Sequence, residues 1–178
     1  MKTIKLKDKK YKIPNSWGEV SVRQFQAITK YSKVEYKTQI ENDLKILSIL
    51  IDCKVSILET ITKEQYDLIL DELAFIYQVV PKNQQDVITI NKNKYVTMSK
   101  LNKLNMGEMI DLEMIIKDSN DYDFLGRILP FFIRESELDI KNNSLKHKPF
   151  DSDNYEYNKE LFLDNISIDK VLYIIDFF

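Results

Sequence analysis

Apolar and polar residues alternate over residues 2–13, and the same alternation returns over residues 87–98. In each stretch the apolar positions fall two residues apart and a short polar run divides them, which is the pattern of a β-hairpin. The second polar run contains Asn91 and Asn93, and asparagine tolerates the left-handed backbone angles that tight hairpin turns need. The sequence therefore predicts two hairpins.

A helix start follows each predicted hairpin at an equivalent position. Ser21 is followed three residues later by Gln24, and Asn105 by Glu108. Both pairs fit a capping box, in which the first side chain accepts a hydrogen bond from the backbone and the fourth reaches back to the first amide. Hairpin and cap therefore repeat together without a gap.

Three further helices are predicted from apolar runs and stripes. Residues 44–51 and 126–133 are almost wholly apolar, and Pro130 predicts a kink or a restart in the second run. Another capping box begins at Thr62 and opens a helix over residues 63–78, whose apolar residues recur at helical spacing.

Two segments of the second half are candidates for partner contacts. Residues 141–158 are polar and without period, so they predict a long loop, and such loops are commonly functional or disordered. Residues 167–178 predict a C-terminal helix that is apolar on more than one face, and is therefore either buried on several sides or docked on a partner. The candidate contact residues are Tyr173, Ile174 and Phe177 in this helix and His147, Phe150, Tyr155 and Tyr157 in the loop.

These elements predict an α+β protein, mostly α-helical, built from two pseudo-repeated units of β-hairpin plus helices. The repeat aligns residues 3–28 with residues 87–112. We expect a first unit over residues 1–81 and a second over residues 82–178, packed as one body.

Composition limits the classes of function. Of the 178 residues 44% are hydrophobic, which is enough for a core, and no apolar run is long enough to span a bilayer. The beginning of the sequence lacks an apolar signal region, so we expect cytoplasmic synthesis. The net charge of −2 disfavours a general nucleic-acid binder, which normally carries a basic excess.

The residues that carry most site chemistry are scarce. His147 and Cys53 are the only histidine and cysteine, which argues against a Cys/His metal site, and the thiol is expected to be buried. The three glycines stand far apart, whereas phosphate-binding loops need them close together. The acids after Asp151 lack the glycine of a calcium loop, and Glu108 is read as a helix cap. We therefore expect that the protein binds no cofactor and is not an enzyme.

At residues 13–25, IPNSWGEVSVRQF, the chain resembles proteins of tailed bacteriophages. The likeness is to virion and tail-assembly proteins of crAss-like and other Bacteroidetes-infecting phages, several of which enter the first helix through Ile-Pro-x-x-Trp-x-Glu-Val. Residues 104–113 match a second segment of that pattern. Trp17, within the first segment, is expected to pack in the core.

The resemblance implies a non-enzymatic structural protein of the virion, a neck or tail ring or connector subunit. Its partners would be other phage structural proteins, in a homo-oligomeric ring or a hetero-assembly, without a membrane and without direct sequence-specific binding to nucleic acid. A tail-assembly chaperone that is absent from the mature particle is the alternative. A small phage nucleic-acid-binding regulator is a third reading.

Overall fold

The computed structural model describes residues 2–34, 38–98, 101–120, 123–139 and 144–177. The strands are β1 (Lys2–Leu6), β2 (Lys9–Ile13), β3 (Val87–Ile90), β4 (Asn93–Thr97), β5 (Ile133–Asp139) and β6 (Ser144–His147). The α-helices are α1 (Val22–Ser32), α2 (Gln39–Leu50), α3 (Val55–Leu58), α4 (Lys63–Glu72), α5 (Met106–Asp118), α6 (Phe124–Phe132) and α7 (Tyr155–Asn165). The 3₁₀ segments are Trp17–Glu19, Ala74–Tyr77, Leu101–Lys103, Ile168–Lys170 and Leu172–Phe177.

The predicted repeat is confirmed. In each unit an antiparallel hairpin is followed by a short 3₁₀ turn and then by a helix. The first residues of equivalent elements in the two units are 84 positions apart, except that β3 begins one residue later than this spacing predicts. The loops hold two residues, because Leu6 pairs with Lys9 and Ile90 with Asn93. Asn91 has φ 49°, as the primed turns of two-residue hairpins require.

Both predicted capping boxes are formed. The Ser21 hydroxyl accepts from the Gln24 amide at 3.2 Å, and the Gln24 side-chain oxygen accepts from the Ser21 amide at 3.0 Å. Asn105 and Glu108 make the same two bonds at 3.0 and 2.9 Å. Local sequence therefore sets where α1 and α5 begin.

The second unit packs over the first helix of the first unit. The Val22 amide donates to the Ile166 carbonyl at 3.0 Å, and the Ile168 amide donates to the Val20 carbonyl at 2.9 Å. Arg23 of α1 also forms ion pairs with Asp164 and, at 2.6 Å, with Glu160 of α7. One hydrophobic cluster contains buried residues from both halves, among them Val20, Leu47, Ile128, Phe131 and Phe162.

Helix α6 continues through Pro130 to Phe132 and passes directly into β5, so the predicted restart at the proline does not occur. Gly126, four residues before the proline, allows this helix to approach its neighbours closely. A Cβ at this position would lie 2.6 Å from Leu163 Cδ2 on α7 and 2.9 Å from Gln26 Nε2 on α1. Strand β5 then joins β4 on one side and β6 on the other, which gives the sheet order β3-β4-β5-β6.

The prediction of a long loop over residues 141–158 is wrong. Residues 144–147 form β6, which pairs with β5, and α7 begins at Tyr155; residues 141–143 lie outside the described part of the chain. Residues 144–147 form a strand because they pair with β5. This pairing is long-range, and the local sequence has no periodicity that would predict it.

The predicted C-terminal α-helix is also wrong, because two 3₁₀ segments take its place. Ile168, Val171 and Ile174 are each fully buried. Their spacing of three residues matches the 3₁₀ repeat, and Val171 lies between the two segments. The helix predicted over residues 63–78 divides in the same way into α4 and the 3₁₀ segment Ala74–Tyr77.

Candidate interaction surface

Two of the predicted contact residues lie in the core. Tyr173 is 7% exposed and Ile174 is fully buried. Their prediction as partner contacts is therefore corrected: the 3₁₀ segments turn them inward, where they pack against the fold itself. The side chain of Phe177 lies outside what the structure describes.

The other four predicted residues lie on or near one surface. Phe150 stacks on Phe131 with ring centroids 4.5 Å apart, and the Tyr155 hydroxyl donates to the Arg127 carbonyl at 2.8 Å. Tyr157 is 66% exposed, whereas His147 is half-buried at the end of β6. Phe150 and Tyr155 thus have a packing role as well as an exposed edge.

A cleft of about 550 Å³ lies between β4–β5 and residues 148–158. Its lining is mostly polar and consists of Asn93, Tyr95, Pro130, Ile133, Arg134, Glu135, Lys148, Pro149, Phe150, Asp151, Ser152, Asn154, Tyr157 and Asn158. Lys148 and Glu135 in this lining form an ion pair at 2.6 Å. Asp151 accepts bonds from Asn154, which lower the pKa of its carboxyl group and hold the start of α7.

A buried ion pair lies beside the cleft. The Arg134 guanidinium donates to Glu108 Oε1 at 3.0 Å, with side-chain exposures of 4% and 8%. Burial opposes ionisation of Glu108, but bonds from Arg134 and from the Asn105 amide outweigh it and lower the pKa of this carboxyl group. The pair thereby fastens the N-terminus of α5 to the start of β5, and with it one wall of the cleft.

Helix α5 presents an exposed apolar stripe. Met106, Ile110 and Met114 are 76%, 57% and 59% exposed, and their spacing of four residues places them on one face. We call these three residues the α5 stripe. At its C-terminal end Met114 lines a second groove of about 360 Å³, together with Asp111, Ile115, Asp118, Phe131, Phe150, Ser152 and Tyr155. The stripe, the groove and the cleft are continuous, because Phe150 lines both concavities.

None of the three stripe residues is among the predicted contact residues. The repeat aligns Met106 with Val22, which is fully buried, so the alignment gives no sign that Met106 is exposed. The sequence does contain a signal of this exposed stripe. Apolar residues occupy more than one face of the helix over residues 106–116, whereas a helix that packs against one core needs only one apolar face.

Other candidates have structural roles. Trp17 is 7% exposed and donates to the Gln78 carbonyl at 3.2 Å, as expected of a core residue. Cys53 is buried, also as expected. Within the described ranges no three His, Cys, Asp or Glu side chains are placed to hold a metal ion. No helix among those residues is both long and apolar enough to cross a membrane.

Comparisons with protein-family models, with curated proteins and with solved structures found no match to this chain.

Proposed function

We propose that this chain is a non-enzymatic bacteriophage structural protein, a neck or tail ring or connector subunit that works through protein–protein contacts. The observation that carries this proposal is the α5 stripe, which leaves Met106, Ile110 and Met114 between 57% and 76% exposed. Apolar surface on that scale, continuous with a groove, is typical of interaction sites.

The energetics support a contact surface. Complete burial of one large apolar side chain is worth about 1.5–3 kcal/mol, so three of them offer several kcal/mol toward association. Association costs on the order of 4–15 kcal/mol of lost motional freedom, so the stripe needs its flanking groove as well. Phe150 and Tyr155 line that groove, and aromatic residues are common anchors of interfaces.

The charged groups around the cleft support a structural reading rather than a catalytic one. Arg134 is paired with Glu108, and Lys148 with Glu135. A catalytic acid or base needs a pKa tuned close to the working pH. The pKa of Glu108 is instead moved down, away from neutrality, by the bonds it receives from Arg134 and from the Asn105 amide, despite its burial.

A tail-assembly chaperone remains the second candidate, because two of the three stripe residues are methionines. Methionine side chains are flexible and polarisable, and they are favoured on surfaces that bind several partners. A chaperone would cover the unassembled surfaces of a tail protein with such a face.

Mass spectrometry of purified particles of the phage that encodes this sequence tests both candidates. A virion subunit is expected in the particles at a fixed copy number that fits a symmetric ring. A chaperone is expected to be absent from particles and bound to an unassembled tail protein in infected cells. A protein found in neither fraction refutes the assembly role.

A further inference from the structure

In the first unit, a segment from the end of the chain covers the start of α1. The stretch 166–168 lies along the entry to α1, where Ser21 and Ser167 form an antiparallel bridge. Its two backbone bonds join the Val22 amide to Ile166 and the Val20 carbonyl to Ile168. Val22 is consequently fully buried, and so is Ile168.

The same position of α5 lacks that cover. The repeat places Met106 at the position of Val22, and Leu104 at that of Val20. Among the described residues no hydrogen bond reaches the Met106 amide or the Leu104 carbonyl. Met106 is 76% exposed where Val22 is fully buried, whereas the Leu104 side chain is buried at 8%, as that of Val20 is. We call the backbone edge at each helix start, with the helix face beside it, a slot. The α1 slot is filled by residues 166–168, and none of the described residues fills the α5 slot in the same way.

A second copy of this chain cannot fill the slot with the equivalent segment. Each chain has two slots, at α1 and at α5, but one 166–168 segment, which occupies the α1 slot of its own chain. An exchange of that segment between copies would empty one slot for every slot it filled. If every α1 slot stays filled, an occupant equivalent to 166–168 must therefore come from a different chain.

We infer that the α5 face binds an extended apolar–polar–apolar segment of a different protein, which pairs with the backbone at Leu104 and Met106 and covers the α5 stripe. This inference rests on the proposed role in assembly. The partner segment is chemically like Ile166-Ser167-Ile168, in which two isoleucines flank a serine. Alternate side chains of such a segment face the same way, so both apolar residues reach the helix.

Aligned positions on α1 and α5 indicate how the partner differs from α7. Arg23 on α1 pairs with acids of α7, but Gly107 replaces it on α5. Gln26 and Lys30 of α1 are likewise replaced by Ile110 and Met114. The partner's flanking helix is therefore expected to be apolar where α7 is acidic, since Gly107, Ile110 and Met114 offer no cation to a buried carboxylate.

A peptide assay tests the inference with the full chain. The probe is a fluorescent synthetic peptide of residues 155–171 that carries Glu160→Ala and Asp164→Ala, which remove the acids specific to the α1 slot. The chain's own segment holds the α1 slot at high effective concentration, so anisotropy reports the α5 slot. We expect binding that Ile110→Asp weakens by about tenfold or more.

Three controls separate the outcomes. Leu68→Asp changes another exposed apolar residue, on α4, and is expected to leave binding unchanged. A peptide with aspartate in place of both isoleucines is expected not to bind. Urea unfolding of Ile110→Asp is expected to match the unsubstituted chain, because Ile110 is 57% exposed.

The inference is overturned if the parent peptide does not bind, or if it binds Ile110→Asp equally well. It is also overturned if light scattering finds a dimer that Ile110→Asp dissolves, because that result assigns the face to a second copy. None of these results depends on particle composition. The docking inference and the proposed function can therefore fail separately.

Discussion

The buried ion pair between Glu108 and Arg134 gives the sharpest test of how the second unit is held together. We predict that Glu108→Ala destabilises the chain by about 3–5 kcal/mol, because it leaves a guanidinium buried without its carboxylate. The side chains are 8% and 4% exposed, so solvent cannot replace the lost partner. The same change removes the bond that Glu108 makes to the Asn105 amide at 2.9 Å.

The repeat supplies a matched control. Gln24 occupies the position of Glu108 in the first unit and makes the same cap bond, but it is uncharged and half-buried. Gln24→Ala removes that cap and the bonds to the Ile49 and Leu50 carbonyls, which together are worth about 2 kcal/mol. The difference between the losses of unfolding free energy in Glu108→Ala and Gln24→Ala measures the effect of leaving Arg134 buried without a counter-charge.

Urea unfolding at pH 7, followed by far-UV circular dichroism, measures both free energies. The double variant Glu108→Ala with Arg134→Met is expected to be no less stable than Glu108→Ala alone, because it removes the unpaired charge. Equal losses for Glu108→Ala and Gln24→Ala, or additive losses in the double variant, would refute the reasoning.

The same carboxyl group predicts how stability depends on pH. The folded-state pKa of Glu108 lies below its ordinary value, because the bonds from Arg134 and from the Asn105 amide outweigh the opposing effect of burial. A depressed pKa contributes stability above the unfolded-state pKa and loses it as pH falls through the folded-state pKa. We expect the stability advantage over Glu108→Gln to be full at neutral pH and to shrink as pH falls below the ordinary carboxyl range. A constant difference across that range would contradict the assignment.

Three further changes test the packing. Gly126→Val is expected to cost about 1–3 kcal/mol in urea unfolding, since a Cβ there would lie 2.6 Å from Leu163 Cδ2, and an unchanged midpoint would contradict this contact. Asn91→Val is expected to cost about 1–2 kcal/mol, because φ is 49° there, whereas Asn91→Gly should be nearly neutral in thermal unfolding. Tyr66→Phe is expected to cost about 1 kcal/mol, because it removes the hydroxyl that donates to Asp43 Oδ2 at 2.7 Å; equal urea midpoints would show that the bond is not stabilising.

The parts of the fold that the sequence predicts correctly are those whose signals are local. A two-residue turn at Asn91 and a cap at Ser21 or Asn105 depend on residues within three or four positions, so they can be read directly. The repeat strengthened each prediction, because an independent copy of the same signal lies 84 positions away. These local signals place both hairpins and the starts of α1 and α5.

The wrong predictions concern segments whose conformation depends on distant partners. Strand β6 pairs with β5, and residues 141–158 contain no alternation that would announce this pairing. The end of the chain has an apolar content that suits an α-helix, but it forms two 3₁₀ segments, and Ile168, Val171 and Ile174 are all fully buried. Packing against the rest of the chain therefore determines whether this segment forms an α-helix or 3₁₀ turns, which composition alone does not distinguish.

The α5 stripe shows a different limit of sequence reasoning. Val22 and Met106 occupy equivalent positions behind equivalent caps, and both are apolar. One is fully buried and the other is 76% exposed. The difference comes from the stretch 166–168, which lies across α1 alone. Apolar periodicity records that a face is to be covered, but it does not record whether the cover belongs to the same chain. The exposed copy of a repeated face is therefore where a duplicated fold is expected to bind a partner.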